Sequence, residues 1–92
     1  MFVLKYSSRF KKDLKAYKNS RVVLSELERV LDILVSGQVL PDKYNLHPLT
    51  GEFKDCLECH IKPDVLLVYK IEKGELFILL LRIGSHAKIF KG

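Results

Sequence analysis

Two helices packed on a mainly antiparallel four-stranded sheet, in the order β-α-α-β-β-β, form the α+β architecture that this sequence predicts. Three observations carry the reading. Apolar residues recur at helical spacing from Arg21 to Val35, three β-prone runs separated by short turns fill the last third, and one β-prone run opens the chain. Ninety-two residues make a single domain, residues 1–92, able to bury one sheet and a pair of helices.

The opening run is FVLKY (2–6), ended by Ser7 and Ser8, either of which can cap a helix. Phe10, Leu14 and Tyr17 then form one apolar stripe on an otherwise basic helix. After a break at Lys18–Ser20, the residues Val23, Leu24, Leu27, Val30, Leu31 and Leu34 line one face of a second helix, stopped by Ser36-Gly37. The stretch 38–55 holds Pro41, Pro48 and Gly51 and reads as an irregular connection with one helical turn around Asp42–Tyr44. Its length suggests that it carries function. In 54–61, Leu57, Cys59 and Ile61 alternate with Cys56, Glu58 and His60. The runs 65–71 and 76–83 are apolar on both faces, as central strands are, and a compact hairpin connection at 72–75 joins them. The first strand is expected beside the last.

The composition, 48% hydrophobic and 29% charged, is that of a globular protein rather than a disordered one. Residues 1–21 hold Lys5, Arg9, Lys11, Lys12, Lys15, Lys18 and Arg21 against Asp13 alone. Such a surface attracts polyanions, nucleic acid first among them, although a net charge of +5 also serves plain solubility. The first ten residues lack the pattern of a signal peptide, no apolar run reaches membrane-helix length, and two cysteines make no disulfide framework. A cytoplasmic setting with no membrane association is expected.

Candidate chemistry concentrates near the end of the chain. CLECH (56–60) matches a haem-attachment pattern, but in a strand Cys56 and Cys59 point to opposite faces, which also disfavours zinc. Hairpin topology gathers His60, Asp64, Arg82 and His86 at one end of the sheet, with His47 in the irregular connection. An imidazole, a carboxylate and a guanidinium can together cleave RNA through its own 2′-hydroxyl, as base, acid and phosphorane-stabilising cation, without a metal. The plainer alternative makes the histidines strand-end residues and Arg82 the structural ion-pair partner of Asp64. A three-histidine metal site has enough ligands but no metal-motif spacing. Gly84-Ser85 argues for a turn that delivers His86, followed by an extended tail. There Phe90 could equally stack on an unpaired base or close the core.

The stretch YNLHPLTGEFKDCLECHIKPDVLLVYK (44–70), followed by RIGSHAKIF (82–90), resembles YafQ-type toxins, RelE-like mRNA interferases of type II toxin–antitoxin modules. The shared features are H-P-L-x-G, x-E-C-H-I-K-P-D, and R-x-G-[ST]-H with a phenylalanine four residues on. The resemblance implies a ribosome-dependent endoribonuclease that cuts translated mRNA and is inhibited by a co-encoded antitoxin. By position it makes His86 the acid for the leaving oxygen, His60 and Asp64 assistants in base chemistry or phosphate organisation, and His47 a further site histidine. It makes Arg82 the transition-state cation and Phe90 a base-stacking residue. The basic first helices, with Arg9, Lys11, Lys12 and Lys15, and the terminal Lys88 would contact RNA. No metal or organic cofactor is implied. Some relatives carry tryptophan after the aspartate where this chain has Val65, so base preference does not transfer. A noncatalytic RNA- or protein-binding module is the alternative.

Overall fold

The structure, a computed structural model, describes residues 1–90. The sheet has five strands rather than the four expected: β1 (Val3–Tyr6), β2 (His47–Pro48), β3 (Leu57–Lys62), β4 (Val65–Glu72) and β5 (Phe77–Gly84), in the spatial order β1-β5-β4-β3-β2. The first strand lies beside the last and runs parallel to it, from Val3↔Phe77 to Tyr6↔Leu80; the other neighbours are antiparallel. The extra strand is two residues long and arises inside the predicted irregular connection. Proline is tolerated there because β2 is an edge strand, with no further ladder to supply. The same connection forms the expected single helical turn at Asp42–Tyr44 and a second at Gly51–Phe53.

Helix α1 (Ser8–Leu14) starts at Ser7, whose hydroxyl accepts from the Phe10 amide; the stripe then continues through a 3-10 turn at Lys15–Tyr17. Helix α2 (Arg21–Ser36) is capped by the Ser20 hydroxyl at Val23 N–H and ends at Gly37, whose φ of 79° is the left-handed conformation that glycine adopts without strain. Val23, Leu27, Val30 and Leu34 of α2 are buried as the periodicity predicts. They meet Cys59, Ile61, Val65, Leu67, Tyr69, Ile78, Leu80 and Ile83 of the sheet in one core, to which α1 contributes Phe10. A third helix, α3 (His86–Ile89), replaces the expected turn and extended tail. Ser85 caps it through its hydroxyl, which accepts from Lys88 N–H, so His86 and Phe90 are related as successive turns of a helix.

The opposite face of the sheet holds a second, smaller cluster. Cys56, Leu66, Val68 and Ile89 form it, with Leu49, Phe53, Leu81 and Phe90 around them. The two cysteines therefore lie on opposite faces, as alternation requires. Burial pushes the Cys59 thiol up to about 12, so it stays protonated and packs as a small apolar group. Leu67, fully buried at the centre of β4, contacts this helix-facing core on one side only. Leu67→Ala is expected to destabilise the protein by about 2–5 kcal/mol in urea denaturation.

Candidate active site

Strand register aligns four side chains across the face that the two long helices leave free. His47 lies opposite Glu58, Glu58 opposite Val68, and Val68 opposite Arg82; the adjacent row runs His60, Leu66, Gly84. Directly paired residues share a face of an antiparallel sheet. Arg82 reaches this face through a bulge: Val68 pairs with Arg82 and the next residue, Tyr69, pairs with Leu80. Leu80 and Ile83 both pack in the helix-facing core three positions apart, which strict alternation forbids. The extra residue absorbs that mismatch and leaves Arg82 off the core side.

At the β2–β3 end, Glu58 is buried and its Oε1 lies 2.8 Å from His47 Nε2 and 3.8 Å from His60 Nε2. His47 Nδ1 is 2.9 Å from the Asn45 carbonyl oxygen, so its ring is held between a backbone carbonyl and the Glu58 carboxylate, with His60 beside them.

Arg82 and Asp13 form a separate pair at the β5 end. Arg82 Nε and Nη2 donate to the Asp13 carboxylate at 2.7 and 3.1 Å, and Ile83 N–H donates to the same carboxylate at 3.1 Å. Both residues are buried. Burial alone would push the Asp13 carboxyl up. The Arg82 and Ile83 hydrogen bonds, with the positive charges of Arg82 and Lys88, outweigh it and hold the group below its ordinary value. The partner of Arg82 is thus Asp13 and not Asp64, the ion-pair partner considered in the plainer sequence reading. Asp64 is exposed in the turn between β3 and β4, and its charge reaches Tyr17 on the helical side.

Helix α3 lies against the apolar floor of the second cluster, where Ile89 is buried together with Leu66 and Val68. It carries His86 and Phe90, whose rings lie 4.8 Å apart, and Phe53 meets Phe90 edge-on at 5.5 Å. Phe90 packs against the second cluster, closing that side of the core, while part of its surface stays accessible. His60 and Gly84 are separated by one intervening strand, a Cα separation of about 10 Å at ~4.8 Å per strand. That places His86, two residues after Gly84, at the same end of the sheet as His60.

The predicted RNA-contacting cations divide between two surfaces. Arg9, Lys12 and Lys88 join Asp13 and Arg82 around an open pocket of about 400 Å³. Lys11, Lys15 and Lys18 instead surround a hollow floored by Leu14 and Leu24. Val65 is buried in the helix-facing core, so its side chain adds nothing to the site face. Among the described residues no three His, Cys, Asp or Glu side chains converge as a metal-ligand set. Sequence reasoning missed the roles of Asp13, Glu58 and Phe53. Asp13 had left a signal, as an acid at i+3 within the apolar stripe of Phe10, Leu14 and Tyr17.

The five-stranded mixed sheet backed by two helices is a fold shared with solved bacterial toxins. A metal-bound toxin from Helicobacter pylori superposes with a TM-score of 0.89, at 44% sequence identity over 98% of this chain and 100% of that one. The YafQ toxin in the Escherichia coli DinJ–YafQ complex gives 0.85, at 28% identity over 98% and 99%. The "mRNA interferase toxin YafQ" of Escherichia coli strain K12 is 30% identical over 88 residues, 95% of this chain and 94% of that protein. The family described as "Bacterial toxin of type II toxin-antitoxin system, YafQ" matches residues 2–91. This chain belongs to the YafQ toxin family.

Asp13→Ala would leave the Arg82 charge and the Ile83 N–H without their partner, and is expected to cost about 3–5 kcal/mol in urea denaturation. The depressed Asp13 pKa contributes stability that is present above the unfolded carboxyl value of about 3.9 and is lost as pH falls through the lower folded value. Wild-type stability should therefore fall on acidification below about pH 4 more steeply than that of Asp13→Asn, measured by denaturation midpoints across that range.

Proposed function

We propose that this chain is a toxin endoribonuclease that cleaves messenger RNA on the ribosome and is neutralised by an antitoxin. The observation that carries this reading is the division of the open sheet face. A His47–Glu58–His60 group occupies one side, a cation-lined pocket the other, and His86 stands on a helix whose Ile89 packs with Leu66 and Val68 in the smaller cluster. The names of the relatives support it: an mRNA interferase toxin in one case, a toxin–antitoxin complex in another.

The chemistry follows from the groups present. His60, in the group with Glu58 and His47, takes the 2′-hydroxyl proton, with Asp64 in the turn that follows β3 assisting, and O2′ forms a bond to phosphorus. The P–O5′ bond breaks, and the leaving O5′ takes its proton from His86, giving a 2′,3′-cyclic phosphate and a 5′-hydroxyl. Arg82 stabilises the negative charge on the phosphorane, and Phe90 holds a base beside the scissile phosphate. Arg9, Lys12 and Lys88 draw the RNA backbone into the pocket, while Lys11 and Lys15 contact ribosomal RNA from the other side of α1. A compensating acidic surface is expected on the antitoxin.

His86→Ala is expected to lower cleavage of a defined message on programmed ribosomes by about 10²- to 10⁴-fold, with the product ends unchanged. Binding of wild type to those ribosomes with no more cleavage than His86→Ala would overturn the nuclease reading. It would leave a noncatalytic RNA-binding module.

A further inference from the structure

The Asp13–Arg82 pair lies beside the proposed chemistry, yet general acid–base catalysis does not use it. An isolated arginine beside three other cations would swing outward, because Arg9, Lys12 and Lys88 repel it across the pocket. Asp13 opposes that repulsion and does so directionally. Its carboxylate grips the Nε–Nη2 edge of the guanidinium while accepting from Ile83 N–H on the same strand. The side chain is thereby tied back to the backbone that carries it.

A guanidinium has a second edge. Its five N–H donors form two forks, and among the described residues the Nη1 donors have no protein acceptor. Among the described residues no fully buried polar side-chain atom lacks a hydrogen-bond partner, so this nitrogen keeps some exposed surface although Arg82 as a whole is buried. Arg82 lines the pocket with the three other cations, which gives that fork an electrostatic setting for an anion. The same carboxylate also lowers the local positive charge, so its presence works against RNA attraction. An acid retained at the centre of a polyanion-binding pocket needs a reason other than affinity.

We propose that Asp13 is a positioning residue that holds Arg82 by its Nε–Nη2 edge and turns the free edge toward a phosphodiester oxygen in the pocket formed with Arg9, Lys12 and Lys88. The assignment rests on the nuclease reading for its consequence in catalysis, but not for its geometry. Asp13 touches no reacting atom; it acts through Arg82. Removing its charge has opposite effects on binding and on reaction. RNA is held at least as tightly, because the pocket becomes more positive, while the reaction slows because the clamp is no longer aimed.

The test is a cleavage assay on programmed ribosomes with wild type, Asp13→Asn, Arg82→Ala and the double variant, each checked for a cooperative melt. Asp13→Asn should lower the single-turnover rate about 10²-fold, the scale of a misaimed catalytic group, with ribosome binding unchanged or tighter. The double variant should be no slower than Arg82→Ala, since a positioning residue has nothing left to position. Full activity in a folded Asp13→Asn, or additive losses in the double variant, would overturn the proposal. If wild type itself fails to cleave, the nuclease reading fails separately. The clamp is then tested on the free wild-type protein by NMR of the Arg82 Nε–H during titration with inorganic phosphate. A slowly exchanging Nε–H that persists as phosphate binds supports the two-edge arrangement. Free exchange, or its loss as phosphate displaces Asp13, overturns it.

Discussion

Beyond Leu80, β5 has no strand on its β1 side among the described residues, and the arrangement of the site depends on how that edge is closed. β1 ends at Tyr6, while β5 runs on to Gly84. Unpaired backbone groups in a buried strand are costly, so the ladder is continued by side chains. Ser7 donates its hydroxyl hydrogen to the Leu81 carbonyl, and Asp13 accepts from the Ile83 amide. The same two residues organise α1, Ser7 as its cap and Asp13 on its inner face. Closing the edge thus fixes the helix, and the carboxylate that closes it fixes Arg82.

The bulge in β5 is the second half of this arrangement. A central strand apolar on both faces can satisfy two clusters, but it has no obvious place for a charged side chain. Placing Leu80 and Ile83 together in the helix-facing core frees the two residues between them for the other side. Leu81 packs into the smaller cluster and Arg82 meets Asp13 at the strand edge. Bulges commonly re-aim side chains beside functional sites, and this one separates packing from charge within three residues.

Two carboxylate groupings, one on the open face and one at the β5 edge, stand without neutralising each other. Glu58 keeps His47 and His60, and Asp13 keeps Arg82, with Val68 between the two sets in the cross-strand row. A shorter row would let Glu58 compete for the guanidinium, the stronger and permanently charged partner. The apolar Val68 keeps the imidazole–carboxylate group and the guanidinium–carboxylate pair apart, and α3 rests Ile89 in the same cluster as Val68.

Local patterning determined much of this protein. The helical repeat in 21–36, its serine and glycine ends, the two-sided strands and the opposite facing of Cys56 and Cys59 are all consequences of spacing along the chain. So is the gathering of His60 and His86 at one end of the sheet, because hairpin direction follows from short connections. Only the tertiary structure decided the rest. Two-residue β2 needs β3 as a partner before it exists, and α3 needs the floor beneath Ile89 to favour a helical turn over an extended tail. The pairing of Arg82 with Asp13, 69 positions earlier, depends on where β1 stops and where β5 bulges. Period and composition report which face a residue occupies. They do not report an edge left open or a register shifted by one, and it is those two events that chose the partner of Arg82.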